Sequence, residues 1–464
     1  MSRQSRSELH VVVLAAGKGT RMRSSRPKVL HEIGGRSMLA HCLDTAEALE
    51  PATVRVVIGH QGEAVRQAEV ARSVDWVWQH EQQGTGHAVW LGIDGLEAAD
   101  DDRVLVLYGD VPLLGADLLR QLAAVPAPVS LLTVHMEDPT GYGRILRDDT
   151  DSVVRIVEEK DATEGERRVR EVNTGILMAR FGDLRRWLSR LESGNAQGEL
   201  YLTDIVEMAS GEAKPVHAVM ADDVWSVAGV NDRLALSQLE RVYQRRQAET
   251  LAYAGTTVAD TARLEIRGTL ACGEDVSIDV GCVFEGDVRL GDNVCIGPHC
   301  VLRDCDIGPG TVVEAFTHID GAVLAGDNRV GPYARLRPGS GLDSRARIGN
   351  FVEVKASRIG EGSKVNHLSY VGDSSVGDDC NLGAGTITCN YDGANKHRTR
   401  LGDRVFIGSA TQLVAPVSVG SDATIGAGST ITRDVGEGAL AIARARQKEI
   451  PGWERPRKKD DPAT

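Results

Sequence analysis

Leu401-Gly402, Ile407-Gly408, Leu413-Val414, Val419-Gly420, Ile425-Gly426 and Ile431 follow one another at six-residue intervals. A coiled coil needs a period near 3.5 and an amphipathic strand a period of 2, so neither explains six. An earlier run has Ile278, Phe284, Leu290, Ile296 and Leu302, and Ile348-Gly349, Val376 and Leu382 continue it in short pieces. A hexapeptide period specifies short parallel strands stacked into a prism-shaped β-helix. The aliphatic residue fills the interior, and the small residue after it relieves crowding at each corner.

Composition marks where this architecture begins. Of the 51 glycines in 464 residues, 29 fall in positions 251–440 and 21 in positions 1–250, while five of the six tryptophans precede residue 231. The change near residue 250 separates two architectures. Lys+Arg is 53 against 66 Asp+Glu, a formal charge of −13, which lacks the basic footprint of a nucleic-acid binder. No apolar run approaches a membrane span, so no membrane insertion is expected. Met1–Glu8 is polar and has no signal-like apolar stretch. Eight cysteines without a close-spaced framework read as reduced thiols in a cytoplasmic enzyme, not as disulfides or a zinc ribbon.

The first half alternates strand and helix signals. Leu9–Leu14 is a continuous apolar run, the mark of a strand buried on both faces, and it breaks at Ala15-Ala16-Gly17-Lys18-Gly19. Val54–Ile58 and Arg103–Tyr108 repeat the pattern, ending in Gly59-His60 and Gly109-Asp110. A mostly parallel α/β sheet follows, with its site at the carboxyl ends of the strands. From Asn231 to about Thr250 the spacing of Leu234, Leu239, Val242 and Tyr243 is helical, and Asn231 or Asp232 suits its cap. The expected domains are therefore 1–230, a linker helix 231–251, and 252–464.

The string Leu14-Ala15-Ala16-Gly17-Lys18-Gly19-Thr20-Arg21-Met22, followed by Pro27-Lys28, is a Gly-rich turn after a buried strand. Backbone N–H groups there approach phosphate oxygens closely, and Lys or Arg neutralises charge that develops in transfer. The string resembles the sugar-nucleotide pyrophosphorylases. Further segments are similar to one class of them, the bifunctional GlmU family: Gln79 with Glu81–Ala88, Tyr108–Pro112, Pro139–Arg144, Asn173–Ile176, Asn366–Tyr370 and Gly383–Gly393. The resemblance runs from about Val11 to Ala443. It implies an α/β Rossmann-like nucleotidyltransferase domain followed by a C-terminal left-handed parallel β-helix of hexapeptide repeats. It also implies two activities. Glucosamine-1-phosphate is acetylated from acetyl-CoA in the C-terminal half. The product is then uridylylated from UTP in the N-terminal half to give UDP-N-acetylglucosamine, a precursor for peptidoglycan and lipopolysaccharide. Members are cytoplasmic homotrimers that use Mg²⁺.

For the first site the resemblance implies that Leu14, Ala15, Ala16, Gly17, Lys28, Gln79, Gly84, Thr85, Tyr108, Gly109 and Asp110 surround the uridine nucleotide. Arg21 and Lys28 are the expected catalytic cations. Gly143, Glu158 and Asn173 map to the sugar, and Asp110 with Asn231 to Mg²⁺. On sequence alone Asn231 is an ordinary helix cap and Glu158 part of the charged run Glu158–Asp161; the resemblance assigns them more.

For the second site it implies His367 as general base, in what reads as a polar, Gly-flanked break of the repeat. Arg337, Lys355, Tyr370 and Asn381 map to glucosamine-1-phosphate. Ala384, Asn390, Tyr391, Ser409, Ala427 and Arg444 map to acetyl-CoA, with Asn390 and Tyr391 near the reacting amine. Cys389 reads as core-lining. The basic tail Arg444–Lys459 reads as a cover over the coenzyme phosphates. Two other readings stand beside this one. In the first, only the nucleotidyltransferase is active and the β-helix assembles and regulates it, as in the glucose-1-phosphate adenylyltransferases. In the second, the repeat is a non-catalytic scaffold. The His367/Asn390/Tyr391 set argues against the first, and the Gly17–Lys28 loop with Asp110 against the second.

Overall fold

The computed structural model describes residues 7–456, and the chain divides into two compact units. The first is built on nine strands: β1 (Leu9–Ala15), β2 (Thr53–Ile58), β3 (Asp75–Trp78), β4 (Arg103–Tyr108), β5 (Val129–His135), β6 (Arg144–Arg147), β7 (Val153–Val157), β8 (Glu171–Arg180) and β9 (Val216–Ala221). They run in the order β9-β5-β8-β4-β1-β2-β3, with β6 on β8 and β7 on β6. β1 pairs in parallel with β2 and β4, while β8 runs antiparallel to β4 and β5. The sheet is therefore mixed, mostly parallel at its centre.

β1 shows why its sequence is apolar throughout. Val11 and Val13 face one core layer with Leu39 and Leu43 of α1 (Met38–Glu47), and Val12 and Leu14 face the other with Val89 and Ile93 of α2 (Thr85–Ile93). A strand covered on both sides has no solvent face on which to place polar residues. Its carboxyl end and that of β4 are then the nearest positions where polar groups can meet water.

The expected linker helix is α4 (Arg233–Tyr253). Leu239 is buried against Met22, Ile33 and Met38, and Gln244 grips Ile266 through both its backbone groups, Nε2 donating to the carbonyl at 2.9 Å and Oε1 accepting from the N–H at 2.7 Å. Leu234, counted as part of its apolar face, is instead exposed. Asp232 is the cap, its Oδ1 accepting from Ala235 N at 2.9 Å, so Asn231 is free of that task.

The second unit is a stack of short parallel strands. Eleven stack on one face, from Thr257–Val258 to Leu440–Ala441, and seventeen wrap the other two. Through most of the stack partners lie 17 or 18 residues apart, as in Ser277↔Cys295, Cys295↔Val312 and Arg347↔Lys364, so one rung is three repeats. The interior column is continuous: Ile296, Leu302, Ile307, Val313, Ile319, Leu324, Val330, Leu336, Leu342, Ile348, Val354, Ile359, Val365, Val371, Val376 and Leu382 are all buried. The step shortens to five residues at Leu302→Ile307, Ile319→Leu324, Val354→Ile359 and Val371→Val376.

The expected break of the repeat around His367 does not occur, because Ile359, Val365 and Val371 carry the interior through it. The real interruption lies between Cys389 and Thr399, where residues 390–398 leave the stack as a loop. Glycines after interior residues stand against the next rung's backbone. A Cβ on Gly308 would lie 2.2 Å from Ala325 O, and one on Gly408 2.4 Å from Ala427 N. Cys389 is not core-lining: Thr388 fills the interior and Cys389 is only half-buried, its Sγ 3.9 Å from Gln412 Oε1.

Candidate active sites

In the first unit, the ends of β1 and β4 open into a cavity of about 260 Å³. Leu14, Ala15, Ala16, Gly17, Lys28, Gln79, Gly84, Thr85, Tyr108 and Asp110 line it, all of them expected from sequence. Gly19 has φ +58°, and a Cβ there would lie 2.7 Å from Lys28 Cβ, so the tight loop needs glycine to bring Lys28 back over the strand end. Gly84 has φ +113°, and its Cβ would lie 2.5 Å from Leu200 O.

Four polar side chains converge at the rim. The Lys28 ammonium pairs with Asp110 Oδ2 and donates to Asn231 Oδ1 at 3.1 Å, and Arg21 Nη2 donates to the same Asn231 oxygen at 2.8 Å. Val230 N donates to Asp110 O at 2.9 Å, which ties the end of β4 to the start of α4. A carboxylate and an amide oxygen meeting on one cation are hard donors of the kind Mg²⁺ takes alongside water, so this donor set fits that ion.

Gly143, Glu158 and Asn173 form a second group. Asn173 N donates to Gly143 O at 2.8 Å, a Cβ on Gly143 would sit 3.4 Å from Glu158 Oε1, and Thr203 Oγ1 donates to that Glu158 oxygen at 3.1 Å. Burial lifts Glu158 above the usual carboxylate range, with Asp161 adding to it and Thr203 opposing. Burial also raises the Tyr108 hydroxyl, helped by Glu158 and Asp110. Gln82 and Glu199 line the cavity without having been singled out. Gln82 Nε2 donates to Ala16 O at 2.6 Å, and Glu199 comes from a distant loop that no motif flags.

In the β-helix the expected residues fall into two groups, at the two edges of one strand face. Along the first edge, in-register pairing stacks Asn350, His367, Ala384, Ser409 and Ala427 on successive rungs. Arg444 Nη1 donates to Ala427 O at 2.7 Å at the top. His367 is exposed, with Nδ1 2.8 Å from Asn350 Oδ1. An amide oxygen only accepts, so Nδ1 carries the proton and Nε2 keeps its lone pair.

At the second edge Arg337 donates to Glu353 Oε1 at 2.9 Å, and Lys355 Nζ lies 3.5 Å from Asp373 Oδ2. Asn390 Nδ2 donates to the same Asp373 oxygen and lies 3.4 Å from Tyr370 OH. Tyr370 spans the face, its hydroxyl over Gly372. Lys396, on the 390–398 loop, lies against Lys355, and the like charge lowers the Lys396 ammonium from its ordinary value. Tyr391 is on the same loop, its hydroxyl donating to Gly393 O at 2.6 Å. Asn381 joins neither group, since it starts a strand whose far end is the His367 edge. Asn350, Asp373 and Lys396 were not read from sequence.

Two known domains match: the MobA-like NTP transferase domain over residues 11–171, and the bacterial transferase hexapeptide, six repeats, over residues 272–304 and 398–433. The bifunctional protein GlmU of Alkalilimnicola ehrlichii is 57% identical over 98% of this chain and 98% of its own. The chain belongs to the bifunctional GlmU family. The GlmU of Marinobacter nauticus is 54% identical over 97% of this chain and 100% of its own, and that of an Azoarcus strain 55% over 97% and 99%. Like the other members of the GlmU family, the chain is a two-activity transferase: a nucleotidyltransferase domain followed by a left-handed β-helix acyltransferase domain. No helix among the described residues is long and apolar enough to cross a membrane.

Proposed function

We propose that the β-helix transfers acetyl from acetyl-CoA to the amine of glucosamine-1-phosphate. The first domain then joins the N-acetylated product to the uridylyl group of UTP and releases pyrophosphate. The observation that carries this reading is that each compact unit holds its own polar constellation: Arg21, Lys28, Asp110 and Asn231 in one, His367 with the Arg337–Lys355–Asn390 group in the other.

In the first domain, Leu14–Gly17, Gly84 and Thr85 hold the nucleotide in the cavity, with Gln79 and Tyr108 at its base. Phosphoryl transfer asks mainly for positioning and charge neutralisation. Lys28 and Arg21 stand where negative charge grows on the α-phosphate. Glu158, Asn173 and Gly143 bind the sugar, with the Glu158 carboxyl placed as a hydrogen-bond partner for its hydroxyls. Asp110 and Asn231 would hold Mg²⁺, which would supply charge neutralisation for the phosphates.

In the second domain, Nε2 of His367 takes the proton that the amine loses on attacking the thioester carbonyl. Asn350 keeps that nitrogen in the accepting tautomer. Ala384, Ser409 and Ala427 rise from His367 at about 4.8 Å per rung, or about 14 Å in all. This is a track for the extended pantetheine arm, with Arg444 at its far end. Arg337, Lys355 and Lys396 meet the sugar phosphate, and Asn390 and Tyr391 the amine. The separation of Asn381 from this group supports a site shared between subunits of a homotrimer. The exposed stack of His299, Phe316, Tyr333 and Phe351, with ring centroids 5.0–5.3 Å apart, is an apolar stripe that such packing would cover. These soluble substrates put the reaction in the cytoplasm.

The test uses two mixtures: glucosamine-1-phosphate with acetyl-CoA, followed for free thiol, and supplied N-acetylglucosamine-1-phosphate with UTP and Mg²⁺, followed for pyrophosphate. Asp110→Asn is expected to cut pyrophosphate release from supplied N-acetylglucosamine-1-phosphate while thiol release continues. His367→Ala is expected to do the reverse, with acetyl transfer down roughly 10²–10⁴-fold. Loss of both signals in either variant, or of neither, contradicts the assignment.

A further inference from the structure

Three ligating side chains face one another at the end of the N-terminal sheet remote from the nucleotide cavity. Glu8 precedes β1, His10 is its second residue, and Asp102 immediately precedes β4. One nitrogen or carboxylate oxygen from each lies within 4.8 Å of the others. His10 is 1% exposed, and its Nε2 is buried without a hydrogen-bond partner. That atom is 3.7 Å from Asp102 Oδ2. The distance is too long for a hydrogen bond. It is near the ~3.4 Å that separates two ligands of a tetrahedral ion with bonds of ~2.0–2.1 Å.

The neighbouring contacts prepare both groups. His10 Nδ1 is 3.0 Å from Thr53 Oγ1, which fixes the ring from behind and leaves Nε2 as the ligand nitrogen. Asp102 accepts from Glu8 N at 2.8 Å through Oδ1 and from Ala99 N at 2.7 Å through Oδ2. Each carboxylate oxygen retains a further lone pair. Burial works to raise Asp102, but these two N–H groups and His10 outweigh it and hold the carboxyl below its ordinary range. Arg103 turns its guanidinium away, to Ala123 O and Ser130 Oγ. Glu8 is exposed and offers a movable ligand at the entrance.

We propose that Glu8, His10 and Asp102 bind a divalent transition-metal ion of the zinc class, at a site distinct from the Asp110–Asn231 pair. One imidazole and two carboxylates form a donor set that suits Zn²⁺. The ion would clip the residue ahead of β1 to the turn ahead of β4, a structural role apart from either reaction.

The test uses the full chain, stripped with a chelator and titrated with Zn²⁺ in excess Mg²⁺ against a chromogenic competitor. Zinc-soaked crystals are measured at the zinc absorption edge. The expected result is one zinc per chain with its anomalous peak among the three side chains. His10→Ala and Asp102→Asn abolish it, and Glu8→Gln weakens it at least tenfold, while both transferase activities persist. Glu8 is on the surface, so its variant folds whatever the buried pair does. No peak at this position, or zinc bound as tightly by Glu8→Gln as by the unaltered chain, overturns the proposal.

Discussion

Asp204, in the first turn of α3 (Asp204–Gly211), has its carboxyl pushed up to about 6, by burial first and then by Glu207, Glu158 and Asp161. An unfolded Asp titrates near 3.9. The folded chain therefore holds this proton more tightly, and ionising Asp204 costs stability. The cost is absent below about pH 4, grows between about pH 4 and 6, and is complete at neutral pH. Asp204→Asn removes it. The variant is expected to gain of order 1–2 kcal/mol at neutral pH, allowing for partial solvent contact, and nothing near pH 4. Five of six tryptophans lie in this half, so urea unfolding followed by their fluorescence isolates the domain. An equal gain at both pH values would refute the electrostatic cause. At this scale the sequence reading was strongest where a motif was contiguous, as in Leu14–Lys28. It was ambiguous at Asn231, because only coordinates show Asp232 taking the cap and leaving Asn231 to Lys28 and Arg21.

At the scale of the repeat, glycine is required where two rungs touch. Gly308 has the backbone of Ala325 against its missing Cβ. Gly308→Ala must push the rungs apart, and a loss of about 1–3 kcal/mol is expected, seen as a lower unfolding midpoint of the β-helix without a change in uridylyl transfer. An unchanged midpoint would show that the rungs yield freely. The repeat was plain in positions 401–431 and faint in the middle because five-residue steps such as Leu302→Ile307 and Val371→Val376 shift the phase. The same shift hid Asn350. It lies 17 residues before His367, one rung below it, a relation visible only once the rung and not the hexapeptide is counted. Asp373 was missed likewise, one rung above Lys355 and one below Asn390. Lys396 and Glu199 had no such signal, since loops bring them in.

For the whole molecule, the proposed shared site makes acetylation depend on assembly and uridylylation independent of it. Dilution until sedimentation shows monomers is expected to abolish acetyl transfer while pyrophosphate release persists. A monomer with full acetyl transfer would remove the reason to invoke a shared site.

The stack itself has a mechanical consequence. Each rung touches only the rungs above and below it, so opening begins at a free end and fraying spreads inward. The ladder that carries Ala427 stops one strand later, at Leu440–Ala441, whereas His367 has six more strands of its face below it and four above. Amide hydrogen exchange is expected to be fast at Thr424 and slow at Val365. The proposed coenzyme track would then be soft where the nucleotide end arrives and stiff where the acyl group reacts.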